Sequence, residues 1–290
     1  MKPPPFEYHR AGSVDEAVAL LAEHGDEAKV LAGGQSLVPL LSLRLARPAH
    51  LVDINRVTEL GAVENGSGLR FGATVRHREV ERSEVVRTAN PLLAYATRFI
   101  GHAAIRNRGT IGGSIAHADP AAELPIVLTV LDGEVEARST RGARTVAAAD
   151  LFQGFLTTSL EPDELLTAVR LPAWQAGTGW SFHEFSRRSG DFAIVGVAAT
   201  VRLNDDGTVT EARLAFSGVE TKPVRATDAE ASLAGATPSD DVWATAAREA
   251  AAPFEPASDI HGSSAYRKHL AGVLAERALK EAHDRAKEAK

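Results

Sequence analysis

The sequence contains no cysteine, which excludes disulfides, thiolate zinc sites, iron–sulfur clusters and cysteine nucleophiles from this chain. If the protein handles single electrons, the cluster must sit on another subunit. Positive charge is also scarce: 32 Lys and Arg stand against 38 Asp and Glu, for a net charge of −6 and no basic cluster. That balance argues against nucleic acid or an anionic membrane surface as the main partner, so any bound phosphate must be held locally. No apolar run approaches the roughly 18 residues of a membrane span, and the opening Met1-Lys2-Pro3-Pro4-Pro5-Phe6 has no apolar h-region. A cytoplasmic protein is the expectation. Several motifs are missing as well. Neither glycine-rich segment has the G-x-G-x-x-G spacing, none is followed by a Walker lysine-serine pair, and no H-E-x-x-H occurs. Gly34-Gln35-Ser36-Leu37-Val38 lacks the closing glycine of a hydrolase elbow, so Ser36 reads as a phosphate donor rather than a nucleophile. No metal site is expected.

What the chain does have is two paired-glycine segments, Ala32-Gly33-Gly34-Gln35-Ser36 and Thr110-Ile111-Gly112-Gly113-Ser114, each after a short apolar run and each trailed by a small hydroxyl residue. Paired glycines let main-chain N–H groups converge on an anion with no side chain in the way. Two such segments suggest one long ligand gripped twice, with a diphosphate as the natural guest; a plain strand-exit turn is the alternative for either one alone.

The 290 residues suggest two domains. Ser13-Val14-Asp15-Glu16 is a capping box that opens a helix ending near Gly25. Strands are expected at Lys29–Leu31, His50–Ile54 and Leu69–Ala73, with a short helical or irregular segment over Leu37–Leu45. Thr74 is read as the cap of a short helix through His77 and Val80, and Pro91 as the first turn of a helix through Phe99. Ala121–Leu131 reads as helix or buried strand, and further strands fall at Val135 and at Leu165–Leu171. The glycine-containing stretch 173–179 is the expected linker. Beyond it, alternating runs flank Asp206-Gly207 as a hairpin, and helices follow over Ala226–Leu233, over Asp240–Ala251, and from about Ser264 into a charged tail read as solvated.

His117-Ala118-Asp119 with Glu123 has the look of a metal or acid–base cluster but no second histidine at helical spacing. Polar contacts to a ligand are the preferred reading; a loop in which Asp119 caps the helix after Pro120 is the alternative. Glu123 can accept from a ribose or a ring N–H, or is a plain surface carboxylate. Arg106 and Arg108 stand just ahead of the second glycine segment, where one of them can neutralise a phosphate or face a partner.

Taken together, Leu31-Ala32-Gly33-Gly34-Gln35-Ser36-Leu37-Val38-Pro39-Leu40, Ile105-Arg106-Asn107-Arg108-Gly109-Thr110-Ile111-Gly112-Gly113-Ser114 and His117-Ala118-Asp119-Pro120-Ala121-Ala122-Glu123-Leu124-Pro125 closely resemble the flavin-binding medium subunit of the molybdenum hydroxylases. That family includes aerobic carbon monoxide dehydrogenase and xanthine dehydrogenase. Phe182–Ala193 resembles the opening of the family's C-terminal domain, so the likeness covers essentially the whole chain.

The resemblance implies an α+β chain with a p-cresol methylhydroxylase-type FAD-binding domain of two subdomains, followed by a C-terminal antiparallel sheet-and-helix domain. Expected bounds are 1–176 for the first domain, with subdomains of about 1–55 and 56–176, and 177–290 for the second. It implies FAD contacts from Lys29, Val30, Leu31, Ala32, Gly33, Gly34, Gln35, Ser36 and Leu37, and from Thr110, Ile111, Gly112, Gly113 and Ser114. Ile100, Asp119, Glu123, Leu166 and His183 complete the expected cofactor set. Some relatives carry a lysine where His183 or Glu184 stands, and Ala104 replaces a glutamine often seen before the Ile-Arg-Asn-Arg string. The reaction the resemblance implies is divided among chains: a molybdopterin large subunit hydroxylates, a [2Fe-2S] small subunit relays electrons, and this chain's FAD collects them for a terminal acceptor. A dimer of heterotrimers is the assembly it allows. A free-standing flavin oxidase or monooxygenase and a non-catalytic FAD-binding scaffold remain as the other readings, and no proton-transfer residue is nominated.

Overall fold

The computed structural model describes residues 2–289. The chain opens with a three-stranded parallel sheet of order β1-β3-β2, from β1 (Glu7–Arg10), β2 (Ala28–Leu31) and β3 (His50–Asp53). Helix α1 (Val14–His24) lies between β1 and β2, and α2 (Leu37–Ser42) between β2 and β3. The capping box acts as expected: Ser13 Oγ accepts from Glu16 N, and Glu16 Oε2 accepts from Gly12 N at 2.7 Å. The apolar stripe Val14, Ala17, Val18 and Leu21 then packs on Val52, Ile54 and Leu60 in a small core.

The second region is a five-stranded antiparallel sheet of order β4-β5-β10-β6-β7 with helices on its apolar face. Its first strands are β4 (Val63–Asn65) and β5 (Gly68–Gly72). Six helices intervene: α3 (His77–Arg82), α4 (Glu84–Ala89), α5 (Pro91–Ala96), α6 (Ala103–Arg106), α7 (Ile111–His117) and α8 (Glu123–Val130). The sheet is completed by β6 (Glu134–Ser139), β7 (Gly142–Ala147) and β10 (Leu165–Pro172), with α9 (Ala148–Leu151) and the small pair β8 (Phe152–Gly154) and β9 (Thr157–Thr158) between them. Thr74 does not cap α3: that helix starts after Arg76 without a side-chain cap, and Thr74 N instead donates to Leu60 O. The segment Ala121–Leu131 resolves as helix, because α8 is apolar on nearly every face and is sandwiched between this sheet's core and the next.

The third region is the antiparallel sheet β11-β12-β13-β14, from β11 (Gly179–Phe185), β12 (Val195–Leu203), β13 (Val209–Ser217) and β14 (Val224–Arg225). Helices α10 (Thr227–Leu233), α11 (Asp240–Ala251) and α12 (Ser264–Glu288) cover one face. The alanine row of α12 permits very close approach: a Cβ built on Gly179 would lie 1.8 Å from Ala282 O, and Ser181 Oγ donates to Ala278 O at 2.8 Å. Because Ala282 and Ala286 are fully buried, the charged tail is not simply a solvated end; only its outer face is. No helix among the described residues is long and apolar enough to cross a membrane.

Candidate functional site

The parallel strands β2 and β3 end at Leu31 and Asp53, and beyond their carboxyl ends opens a cleft of about 430 Å³ lined by Leu31 to Gln35, Val38, Pro39, Asp53, Asn55 and Arg108. A sheet of this kind leaves room for ligands at that end. The amides of Gly33, Gly34, Gln35 and Ser36 donate to no acceptor among the described residues. Gly34 has φ +72°, a left-handed conformation that suits glycine, and it aims the following amides outward. A run of unpaired N–H groups is a concave, partly positive surface, ready to take an anion.

The wall opposite is the segment 108–110. A Cβ on Gly33 would lie 2.5 Å from Arg108 O and 2.8 Å from Gly109 Cα, so the first segment packs on the residues just ahead of the second and has space only for hydrogen. Side chains fix the loop from behind. Asn55 Nδ2 donates to Ala32 O at 2.8 Å and to Asp53 Oδ1 at 2.6 Å, and Asn55 Oδ1 accepts from Arg76 at 2.6 Å. Arg76 also donates to Arg108 O, while Tyr8 donates to Asp53. Burial, followed by the charge of Arg108, pulls the Arg76 guanidinium below its ordinary value. Burial opposes the charge of Asp53, but the hydrogen bonds from Tyr8 and Asn55 outweigh it and keep that carboxyl low. The donor set fits a diphosphate: free amides at the mouth of the cleft, Arg108 lining it and Arg76 bracing it from behind.

The second glycine segment is built differently. It is the first turn of α7, not a turn between elements, and its donors are already engaged: Ile111 N donates to Val75 O, Gly112 N to Ala73 O, Gly113 N to Thr110 Oγ1 and Ser114 N to Thr110 O. Gly112 is buried against Ala73, whose Cβ and Cα would lie 2.6 and 2.7 Å from an added Cβ. His77 supports this segment from below, with Nε2 2.8 Å from Thr110 O, and burial pushes its imidazole down to about 4.

Of the other residues named from sequence, Lys29 is exposed on β2 and Val30 packs towards the α1 core. Ser36 and Leu37 start α2. Ile100 and Leu166 are buried in the large core, and Ile100 O accepts from Arg106. Arg106 is therefore tied to Ile100, Gly101 and Glu81, and only Arg108 of the arginine pair reaches the cleft. Asp119 does not cap α8; its Oδ1 accepts from Ala121 N at 2.9 Å in an Asx turn, and the cap residue is Ala122. His183, on β11, lies 2.7 Å from Glu281 Oε2 on α12.

Sequence reading missed Asp53, Asn55 and Arg76, whose only signal is their place at the end of β3 and in the stretches following β3 and β5. It also missed Glu184 as half of a carboxyl pair. Glu123 stands at the start of α8 and Glu184 at the end of β11, and Glu184 Oε2 is buried without a hydrogen-bond partner among the described residues. Burial pushes Glu123 up to about 7, with Asp119 adding to the effect. Burial and the neighbouring Glu123 push Glu184 up to about 8. Burial, and for Glu184 the charge of Glu123, make ionising both carboxyls together unfavourable.

Comparisons with known proteins place the chain's sequence and fold. Residues 4–174 match the family model described as the FAD binding domain in molybdopterin dehydrogenase, and residues 180–282 match the CO dehydrogenase flavoprotein C-terminal domain. The chain is 43% identical over 291 residues to the 6-hydroxypseudooxynicotine dehydrogenase complex subunit alpha of Paenarthrobacter nicotinovorans, covering 100% of this chain and 98% of that one. A chain of carbon monoxide dehydrogenase from Hydrogenophaga pseudoflava superposes with a TM-score of 0.96 at 42% identity, over 98% of this chain and 99% of that one. A chain of quinoline 2-oxidoreductase from Pseudomonas putida 86 superposes with a TM-score of 0.94 at 38% identity, over 99% of each.

Proposed function

Because the chain belongs to the FAD-binding family of the molybdopterin dehydrogenases, we propose that it is the medium subunit of a molybdenum hydroxylase, taking electrons from a [2Fe-2S] small subunit and passing them to a terminal acceptor. It binds FAD. The observation that carries the reading is the row of unpaired amides at Gly33–Ser36, lining a cleft that Arg108 also lines. Hydrogen bonds to a charged oxygen contribute roughly 1.5–3 kcal/mol each, so a few such donors hold a diphosphate without a basic surface. An acidic chain is therefore no obstacle.

When bound, FAD supplies the exchange between one- and two-electron chemistry, and the protein's task is to bind, orient and tune it. On this reading Gly33 to Ser36 hold the diphosphate, and the Asn55–Arg76 brace keeps their amides pointed at it. The segment Thr110–Ser114 forms the rigid floor below. Burial favours the neutral form of Glu184 and raises Glu123 towards neutrality, so the two are not both anions at neutral pH. The domain division falls at 176/177, the N-terminal part splitting again near residue 55. We place the complex in the cytoplasm, with a molybdopterin large subunit and pairing into a dimer of heterotrimers.

The test is anaerobic mixing of the flavin-loaded chain with a reduced [2Fe-2S] subunit or with an organic reductant. Bleaching of the flavin band by the iron–sulfur subunit alone is the expected result. Fast bleaching by an organic substrate in the isolated chain would instead identify a free-standing oxidase, and flavin that never changes redox state during turnover of the assembly would identify a scaffold.

A further inference from the structure

The far end of the parallel sheet carries a second constellation that the flavin cleft does not use. His9 of β1, His24 in the last turn of α1 and His50 of β3 are half-buried, and they present one ring nitrogen each within 4.8 Å of one another. His9 Nε2 lies 3.0 Å from His50 Nδ1, and the His24 and His50 rings stack with centroids 3.7 Å apart. The carboxylate of Glu7 approaches from the solvent side, with Oε2 3.6 Å from His50 Nδ1 and 3.9 Å from His9 Nε2. Parallel pairing produces this convergence, because Glu7 is in register with His50 and His9 follows on the same face two residues later. No other hydrogen-bond partner is found for these three imidazoles among the described residues.

We propose that Glu7, His9, His24 and His50 form a binding site for a divalent transition ion of the zinc class. Three imidazoles and a carboxylate are a borderline donor set suited to Zn²⁺, Co²⁺ or Ni²⁺, and the cysteine-free sequence removes softer thiolate competition. Tetrahedral bonds of about 2.0–2.1 Å place neighbouring donors about 3.3 Å apart. The His9–His50 pair already has that spacing, and His24 reaches it by a side-chain rotation that opens its stack on His50. The carboxyl end of α1 delivers His24, and the negative pole of a helix favours a cation there. Such an ion clamps the first strand, the first helix and the central strand of the sheet together at their outer end. The flavin cleft lies past Leu31 and Asp53, at the opposite ends of β2 and β3, so ion and flavin binding are separable.

The experiment takes the full chain with its flavin, strips metal with a chelator, and titrates Zn²⁺, with Co²⁺ as the spectroscopic probe. One ion per chain and the intense visible bands of tetrahedral Co²⁺ are expected. His9→Gln and His24→Gln should each weaken binding by more than the roughly 10–100-fold cost of losing only an outer partner of a ligand, while flavin content stays unchanged and thereby reports an intact fold. X-ray absorption of the zinc-loaded wild-type chain gives a readout independent of any variant, with imidazole scattering expected from three ligands. Stoichiometry that the His9→Gln/His24→Gln double variant leaves untouched, or zinc without imidazole scattering in the wild type, overturns the site.

Discussion

Gly33-Gly34 and Gly112-Gly113 are the same dipeptide, each following an apolar run and each leading into a helix, yet the fold uses them in opposite ways. At the first, Gly33 packs against the Arg108 carbonyl, but the amides from Gly33 to Ser36 are unpaired and line a cleft. At the second, glycine leaves space for the protein itself. Gly112 lets α7 press on Ala73, and the amides are bound by Val75, Ala73 and Thr110. Close packing thus explains the missing side chain at both Gly33 and Gly112, and only the pairing of the neighbouring amides separates the segment that faces a ligand from the one that does not.

Gly112→Val attacks the packing segment and is expected to have the largest effect. Its Cβ would lie within 2.8 Å of three Ala73 atoms, two of them backbone. Overpacking of this kind costs about 1–3 kcal/mol or more, and loss of thermal stability by calorimetry should precede any loss of flavin. A variant of wild-type stability would mean that Gly112 does not pack on Ala73 as closely as its contacts show.

Gly33→Ala attacks the cradle. The added methyl must displace Arg108 O from 2.5 Å, in a loop away from the main cores. Loss of one or two charged hydrogen bonds predicts flavin affinity roughly 10–100-fold weaker, accompanied by a lower melting temperature of the apoprotein, because the methyl meets backbone. Asn55→Ala leaves both glycines in place but releases Ala32 O and Arg76, so a smaller loss, about 5–10-fold, should appear in the same flavin titration. Unchanged occupancy in both variants would move the diphosphate elsewhere.

The carboxyl pair supplies the complementary test, because there the fold excludes charge instead of gathering it. Glu184 titrates near its ordinary value of 4.5 when unfolded and at about 8 in the native chain. The folded state therefore holds the extra proton between those values, so wild-type stability falls as pH rises through that window and levels off above it. Glu184→Gln stays neutral throughout. Its unfolding free energy should lose that slope and exceed the wild type by roughly 1–3 kcal/mol at pH 8, measured by denaturant titration across pH. Parallel curves for the two proteins would place an unseen cation beside Glu184.

Part of this architecture is legible in the residue order alone. The capping box at Ser13, the hairpin around Asp206-Gly207 and the boundaries of α11 are local signals, set by residues within a turn of one another, and the fold follows them. The glycine strings and their neighbours are also specific enough to identify the family. What the sequence does not separate is the amide partners of the second segment, since Val75 and Ala73 lie more than 30 positions upstream and bond to it only through tertiary pairing. Asn55, Arg76 and the His9, His24 and His50 trio escape for the same reason: they lie far apart in sequence, and only tertiary structure brings them together. Thr74 fails as a cap because β5 continues into a main-chain bond to Leu60, which leaves helix entry to Arg76.

The smallest expected effect gives the finest division between the two segments. Thr110 is buried, and its hydroxyl accepts from Gly113 N at 3.1 Å as the N-cap of α7. Thr110→Val keeps the shape and removes only that acceptor, a change that costs about 1 kcal/mol at a helix start and leaves the Gly113 amide unpaired. If the second segment serves the protein alone, the loss should be seen in the melting temperature and be absent from the flavin titration. If it also lends donors to the ligand, the released Gly113 amide becomes available to it, and flavin should bind as tightly as before or tighter while protecting the variant more than the wild type against heat. The ratio of holoprotein to apoprotein stabilisation in the two proteins therefore decides whether one glycine pair or both face the diphosphate.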